Sequence, residues 1–157
     1  MTDKRSAKLV ERSAARLGAV QALYQMDLSG SDVGETLAQF SSRAMGENFE
    51  DGQCGEADYK HLREVVDGVV REQKTIDPAV DQLLDKAWPL HRLDSTVRAI
   101  LRAAAFELMF MERVPARVAI SEYVDVADAF FGKEEPRFVN GVLDRLARLK
   151  RPQEFTA

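Results

Sequence analysis

Cysteine is almost absent from this chain. Cys54 stands alone in a glycine-rich polar stretch, which excludes an internal disulfide and a cysteine-built metal cage and makes a reducing compartment the simplest setting. Histidine is nearly as scarce: His61 and His91 lie thirty residues apart with no cysteine or second histidine beside either, and both are read as structural or solvent-facing rather than as metal ligands. No apolar run approaches the roughly 18 residues needed to cross a bilayer. Charges occupy the N-terminal stretch where a secretory signal would carry its apolar segment, so a cytoplasmic protein is expected, neither exported by that route nor membrane-bound. Phosphate-cradling glycine loops are missing, Ser121 sits in no GxSxG elbow, and Cys54 has no identifiable base partner. No enzyme chemistry, metal or cofactor is therefore predicted.

What is present is helical pattern. The 157 residues, 45% of them hydrophobic, suffice for one domain or two packed helical halves. Residues 4–28 read as a long helix with Val10, Ala14, Leu17, Tyr24 and Leu28 inward, stopped by Ser29-Gly30-Ser31;. A weaker helix over 33–44 precedes a glycine-rich acidic loop at 46–55, a natural seam between two halves. The helical period resumes over 56–74 with Val70 among the inward positions. Asp77-Pro78 then has the form of an N-cap followed by a first-turn proline, and predicts a separate helix ending near Trp88-Pro89;. Asp94 caps a strongly apolar helix from Ser95 to about Glu112, Val118–Phe131 follows after Pro115, and a last helix starts near Pro136 and carries Leu149 inward;. No segment alternates convincingly as a strand. An all-α bundle of about seven helices in two packed halves is the expectation, forming a single domain over 1–157.

Positive charge is concentrated at the N-terminus. Residues 1–16 hold five Lys or Arg against two acids, leaving a net −7 on the rest of a chain whose total is −4. At about 100° per residue, Arg5, Lys8, Arg12 and Arg16 fall within an arc of roughly 80°, on the side away from the expected apolar stripe. Arginine forks there suit phosphate oxygens, but a solvated basic surface has the same appearance. A membrane-surface helix fits less well, because bulky aromatic anchors are lacking before Tyr24.

Other charges fall where burial is expected. Arg102 and Glu107 on one apolar helix, and Glu122 at the start of the next, are read as ion pairs that lock helices together. Trp88, Phe106, Phe110, Phe130 and Phe131 are assigned to the core. In RFVNGVLDRLA, Arg137, Phe138 and Asn140 combine a phosphate binder, an aromatic and a base-edge hydrogen bonder at a helix start. Equally, Phe138 can be core and Gly141 can serve only a close helix approach.

ARLGAVQALYQ (15–25), LDSTVRAILRAAAFEL (93–108), VAISEYVDVADAFF (118–131) and RFVNGVLDRLA (137–147) together resemble the NusB transcription antitermination factor family, in the family's order and across most of the chain. The resemblance implies an all-helical RNA-binding fold in two halves and a non-catalytic bacterial adaptor. Its implied partners are boxA-type single-stranded RNA of ribosomal RNA leaders, the ribosomal protein NusE and the RNA polymerase antitermination complex. It implies RNA contact for Arg12 and Arg16, extended to Arg5 and Lys8, with Tyr24, Arg137, Phe138 and Asn140 as the neighbouring surface and Glu134 in a loop of variable length assigned to the protein partner. The chain departs from the family's denser arginine run, because Ser13, Ala14 and Ala15 fill its middle. A related helical domain precedes certain ribosomal RNA cytosine methyltransferases, but no α/β cofactor domain or methyltransferase cysteine motif is found here. The rival reading is a protein-only helical scaffold that binds a ribosomal protein or pairs with itself, since an apolar face closed by a second copy reads like one closed internally.

Overall fold

Gly30 takes a backbone φ of +72° at the end of the first helix. That left-handed conformation suits glycine, and it lets the Gly30 N–H return to the Met26 carbonyl at 2.9 Å;. This helix, α1, runs over Lys4–Ser29, and α2 follows over Val33–Gln39. The computed structural model describes residues 4–39 and 56–156, with side chains from Arg12 in α1 and from Tyr59 in the second stretch. The predicted loop at 46–55 and the end of the helix predicted over 33–44 lie outside the described residues. The chain divides into two compact units, 1–67 and 68–157.

In the first unit Asp32 accepts the Glu35 N–H at 2.8 Å and so caps α2;. Gln25 of α1 donates to Gln39 of α2 at 2.6 Å, and the Tyr59 hydroxyl donates to the Leu37 carbonyl. Tyr59 belongs to α3, Glu56–Asp81, in which the division between the units falls. Small residues govern how α1 meets α3. A Cβ on Gly18 would stand 2.6 Å from Leu62, closer than van der Waals contact allows, and Ala15, Ala19 and Ala22 are wholly buried beside it in the sequence.

That interface reverses the predicted faces of α1. Arg16, Ala19, Val20 and Leu23 are buried, whereas Leu17 is half-buried, Tyr24 is 38% exposed and Leu28 is 62% exposed. Close approach at Gly18 sets which side packs, and that side is opposite to the one carrying Tyr24 and Leu28. The basic register and the buried register thus share one side of α1.

The second unit begins inside α3, which continues through Pro78 in place of the predicted break. Proline in the last turn sacrifices one backbone bond, while its own carbonyl still accepts the Gln82 N–H at 3.1 Å;. Asp77 is not a cap, because Arg102 claims its carboxylate through two bonds of 3.0 and 2.9 Å. The predicted helix 77–88 is replaced by turns, where Asp81 accepts the Leu90 N–H and Asp85 the Ala87 N–H. Trp88, assigned to the core, is 62% exposed there.

Three helices complete the unit: α4 over Ser95–Phe110, α5 over Ala116–Phe130 and α6 over Glu134–Lys150, with single 3-10 turns at Leu90–Arg92 and Pro152–Glu154. Asp94 accepts the Thr96 and Val97 N–H groups and caps α4 as the sequence predicts. The α4 helix is buried on nearly every side, from Val97 through Leu108, and packs against α5 and α6. Burial of each large aliphatic side chain contributes about 1.5–3 kcal/mol. Gly68 admits the Phe106 ring, whose atoms lie 2.1–2.6 Å from where a Cβ would stand. Phe106 is core as assigned and stacks on Phe110. Phe110, Phe130, Val70 and Leu149 are instead 40–65% exposed.

Arg151, the residue after the last helix, closes this unit. It is 2% exposed, and its five N–H donors reach the carbonyls of Glu107, Leu108, Met111 and Val114 and the carboxylate of Glu154 at 2.5–3.1 Å. The guanidinium gives the Glu107 and Met111 carbonyls, which already accept the Met111 and Val114 N–H groups, a second bond each, and reaches those of Leu108 and Val114 as well;. Six α-helices and no strand are found among the described residues.

Candidate nucleic-acid interface

Along α1 the basic residues have different fates. Arg5 and Lys8 hold the same helical register as Arg12, their side chains outside the described residues. Arg12 is exposed, and its Nη1 donates to Nδ1 of His61 on α3 at 2.5 Å. A guanidinium can only donate, so this bond is one in which Nδ1 accepts. Arg16 is 3% exposed and has an interaction partner. The expected solvent-facing position for Arg16 is corrected: it lies three residues before Ala19 and four before Val20, on the packed side. Tyr24 is exposed but stands about 18 Å further along the helix than Arg12.

The α6 residues form a second exposed group. Arg137, Phe138 and Asn140 face solvent at the start of α6, with Phe138 39% exposed, so it is not wholly core. Val139, Val142, Leu143 and Leu146 supply the inward side instead. A Cβ on Gly141 would meet nothing within 4 Å, which removes close helix approach as its reason. Asn140 lines a cleft of about 330 Å³ with Arg117, Ser121, Asp125, Asp144 and Phe155. Arg117 and Arg148 hold their guanidinium carbons 5.0 and 4.8 Å from the centre of the Phe155 ring;. Glu134 is exposed in the first turn of α6.

Buried charges elsewhere are internally matched. Arg102 forks onto Asp77. Glu107 is wholly buried and accepts the Tyr123 hydroxyl. Glu122 is half-buried and partnered. Among the described residues no group of three or more His, Cys, Asp or Glu could hold a metal ion, and no helix is long and apolar enough to cross a membrane. Sequence reasoning missed the Arg12–His61 contact, which joins residues 49 apart and leaves no local signal. It also missed the two arginines on Phe155, because that ring lies beyond the last helical period.

The described chain defines an all-helical class with a basic first helix and a separate exposed arginine, aromatic and amide group at the start of its last helix. The NusB family matches residues 13–148, and the chain belongs to that family. The transcription antitermination protein NusB of Rhodopseudomonas palustris (strain ATCC BAA-98 / CGA009) is 52% identical over 156 residues, covering 99% of this chain and 90% of that protein. Its namesake from Mesorhizobium japonicum is 53% identical over 138 residues, 88% of this chain and 89% of that one. Among solved structures, T. maritima NusB superposes with a TM-score of 0.74 at 27% identity, over 92% of this chain and 96% of that one. A structure of the antitermination factors NusB and NusE in complex with double-stranded RNA matches with a TM-score of 0.74 at 28% identity, over 88% and 97% of the two chains.

Proposed function

We propose that this chain is a transcription antitermination factor: a non-catalytic adaptor that binds boxA-type leader RNA of ribosomal RNA operons together with the ribosomal protein NusE, within the RNA polymerase antitermination complex. Its place of work is the cytoplasm, where such a transcript is made. The reading rests on near full-length identity to proteins of that name, combined with an exposed arginine on a basic helix. No bond is made or broken. Cations on α1 meet phosphates, while Phe138 stacks on a base and Asn140 meets a base edge. Arg16 adds positive potential from inside the fold rather than a direct contact. Arg5, Lys8, Arg12 and Arg137 remain as four candidate phosphate contacts, for which single-strand counterion release gives a log-log salt slope of about −3.

Fluorescence anisotropy tests this reading with a single-stranded boxA-like RNA, a scrambled strand and a duplex, with and without NusE, at several salt concentrations. Preferential, salt-sensitive binding that NusE strengthens is expected, and Arg12→Ala should flatten the slope by about 0.7. Equal, weak binding of every RNA alongside firm binding of NusE would establish the protein-only scaffold, a reading favoured by the burial of Arg16.

A further inference from the structure

Arg12 is an exposed side chain tied to a fixed point. His61 is 1% exposed, on a stretch of α3 whose next residue, Leu62, packs closely on Gly18 of α1, and a buried side chain has far less rotamer freedom than an exposed one. Its Nδ1 lies 2.5 Å from Nη1 of Arg12. We propose that His61 is a positioning residue for RNA binding: it aims the Arg12 guanidinium and holds it ready for a phosphate. This rests on the RNA-binding reading above.

The geometry leaves the arginine able to do both jobs. One Nη1 donor goes to the imidazole, and among the described residues no other bond of Arg12 competes for the Nε and Nη2 donors. Those two N–H groups are parallel and match two oxygens of one phosphate. An unrestrained arginine surrenders its rotamer freedom when RNA binds, whereas this one surrenders it on folding. The arrangement needs an acceptor at Nδ1, which is what the amide oxygen of a glutamine could also supply. A packing role of the buried imidazole that does not pass through Arg12 predicts something different. It would lower stability and RNA affinity to the same extent whatever residue stood at position 12.

The test is a double-mutant cycle on the full chain, read as affinity for single-stranded boxA-like RNA by anisotropy. Immobilisation of one long side chain corresponds to about threefold to tenfold in affinity, and His61→Leu should weaken binding by that much while Arg12 is present. In an Arg12→Ala background His61→Leu should change nothing further. His61→Gln, whose amide oxygen can accept from Arg12, should recover most of the loss. Nitrogen-15 NMR gives a readout free of RNA: the imidazole should show an unprotonated Nδ1 whose resonance shifts on Arg12→Ala. An equal loss from His61→Leu in both backgrounds, no loss at all, or an unmoved Nδ1 resonance would each overturn the proposal. The last of these decides the matter even if His61→Leu fails to fold. Failure of the intact chain to bind any RNA would overturn the functional reading itself, and the positioning role with it, while the Nδ1 shift still reported the bond.

Discussion

Arg12 in the first unit and Arg151 in the second are the same side chain put to opposite uses. Arg151 is 2% exposed and spends every N–H on its own unit, four backbone carbonyls and one carboxylate. Arg12 is exposed and spends one, on the Nδ1 of His61. A buried guanidinium repays the cost of leaving water only when its donors are all satisfied, and once satisfied it has nothing left for a ligand. Residue type therefore says little about which arginines of a basic chain face a polyanion. The number of donors the fold has already consumed says much more.

The sharpest way to break this contrast is to remove the consumed arginine. Arg151→Met keeps the aliphatic bulk but removes all five hydrogen bonds to the four carbonyls and Glu154, and it should cost about 3–5 kcal/mol in urea unfolding. Arg151→Lys should recover little, because three donors on a flexible stem cannot reproduce a planar five-donor fork. A loss under 1 kcal/mol would mean that water replaces the guanidinium and that the two arginines differ less than their geometry says.

A smaller effect tests packing within the second unit. Gly68→Ala normally gains about 1 kcal/mol of helix propensity, but here the new methyl would meet the Phe106 ring at 2.1–2.6 Å. Overpacking of that kind costs about 1–3 kcal/mol, so a net loss is expected in the melting curve. Phe106→Leu should be better tolerated in the alanine background than in the parent. A gain in stability from Gly68→Ala alone would show that the ring relaxes freely.

The all-α class and much of the second unit could be read in the sequence because their signals are local. Asp94 stands directly before an apolar period, Pro115 separates two such periods, and Pro136 fits a first turn. The failures are tertiary. Asp77-Pro78 carries a sound helix-start signal, but Arg102, 25 residues away, takes the carboxylate. The apolar period of α1 points to the wrong face because close approach at Gly18, which depends on α3, sets the packed side. Trp88, Phe110 and Phe130 look like core by type, and their exposure depends on which neighbours reach them. In the candidate interface, Arg137, Phe138 and Asn140 could be read from one short motif. The state of Arg12 and Arg16 depended on α3, whose relevant residues lie some fifty positions on.

The smallest effect concerns what lies around Arg151 rather than the residue itself. Glu154 has its carboxyl held below the ordinary value near 4.5, first by the backbone N–H of Ala116 and then by the Arg151 guanidinium. A carboxyl with a lowered folded pKa stabilises the fold above its unfolded value, and that contribution is lost as pH falls through the folded value. Parent and Glu154→Gln should therefore differ in stability at neutral pH and converge as the pH drops from about 4.5 downward. The Gln amide oxygen can still accept from Ala116, so what this comparison removes is chiefly the charge facing Arg151. Were the difference to persist unchanged into acid, the carboxylate's contribution would be one of shape, and Arg151 would owe its place to the four carbonyls alone.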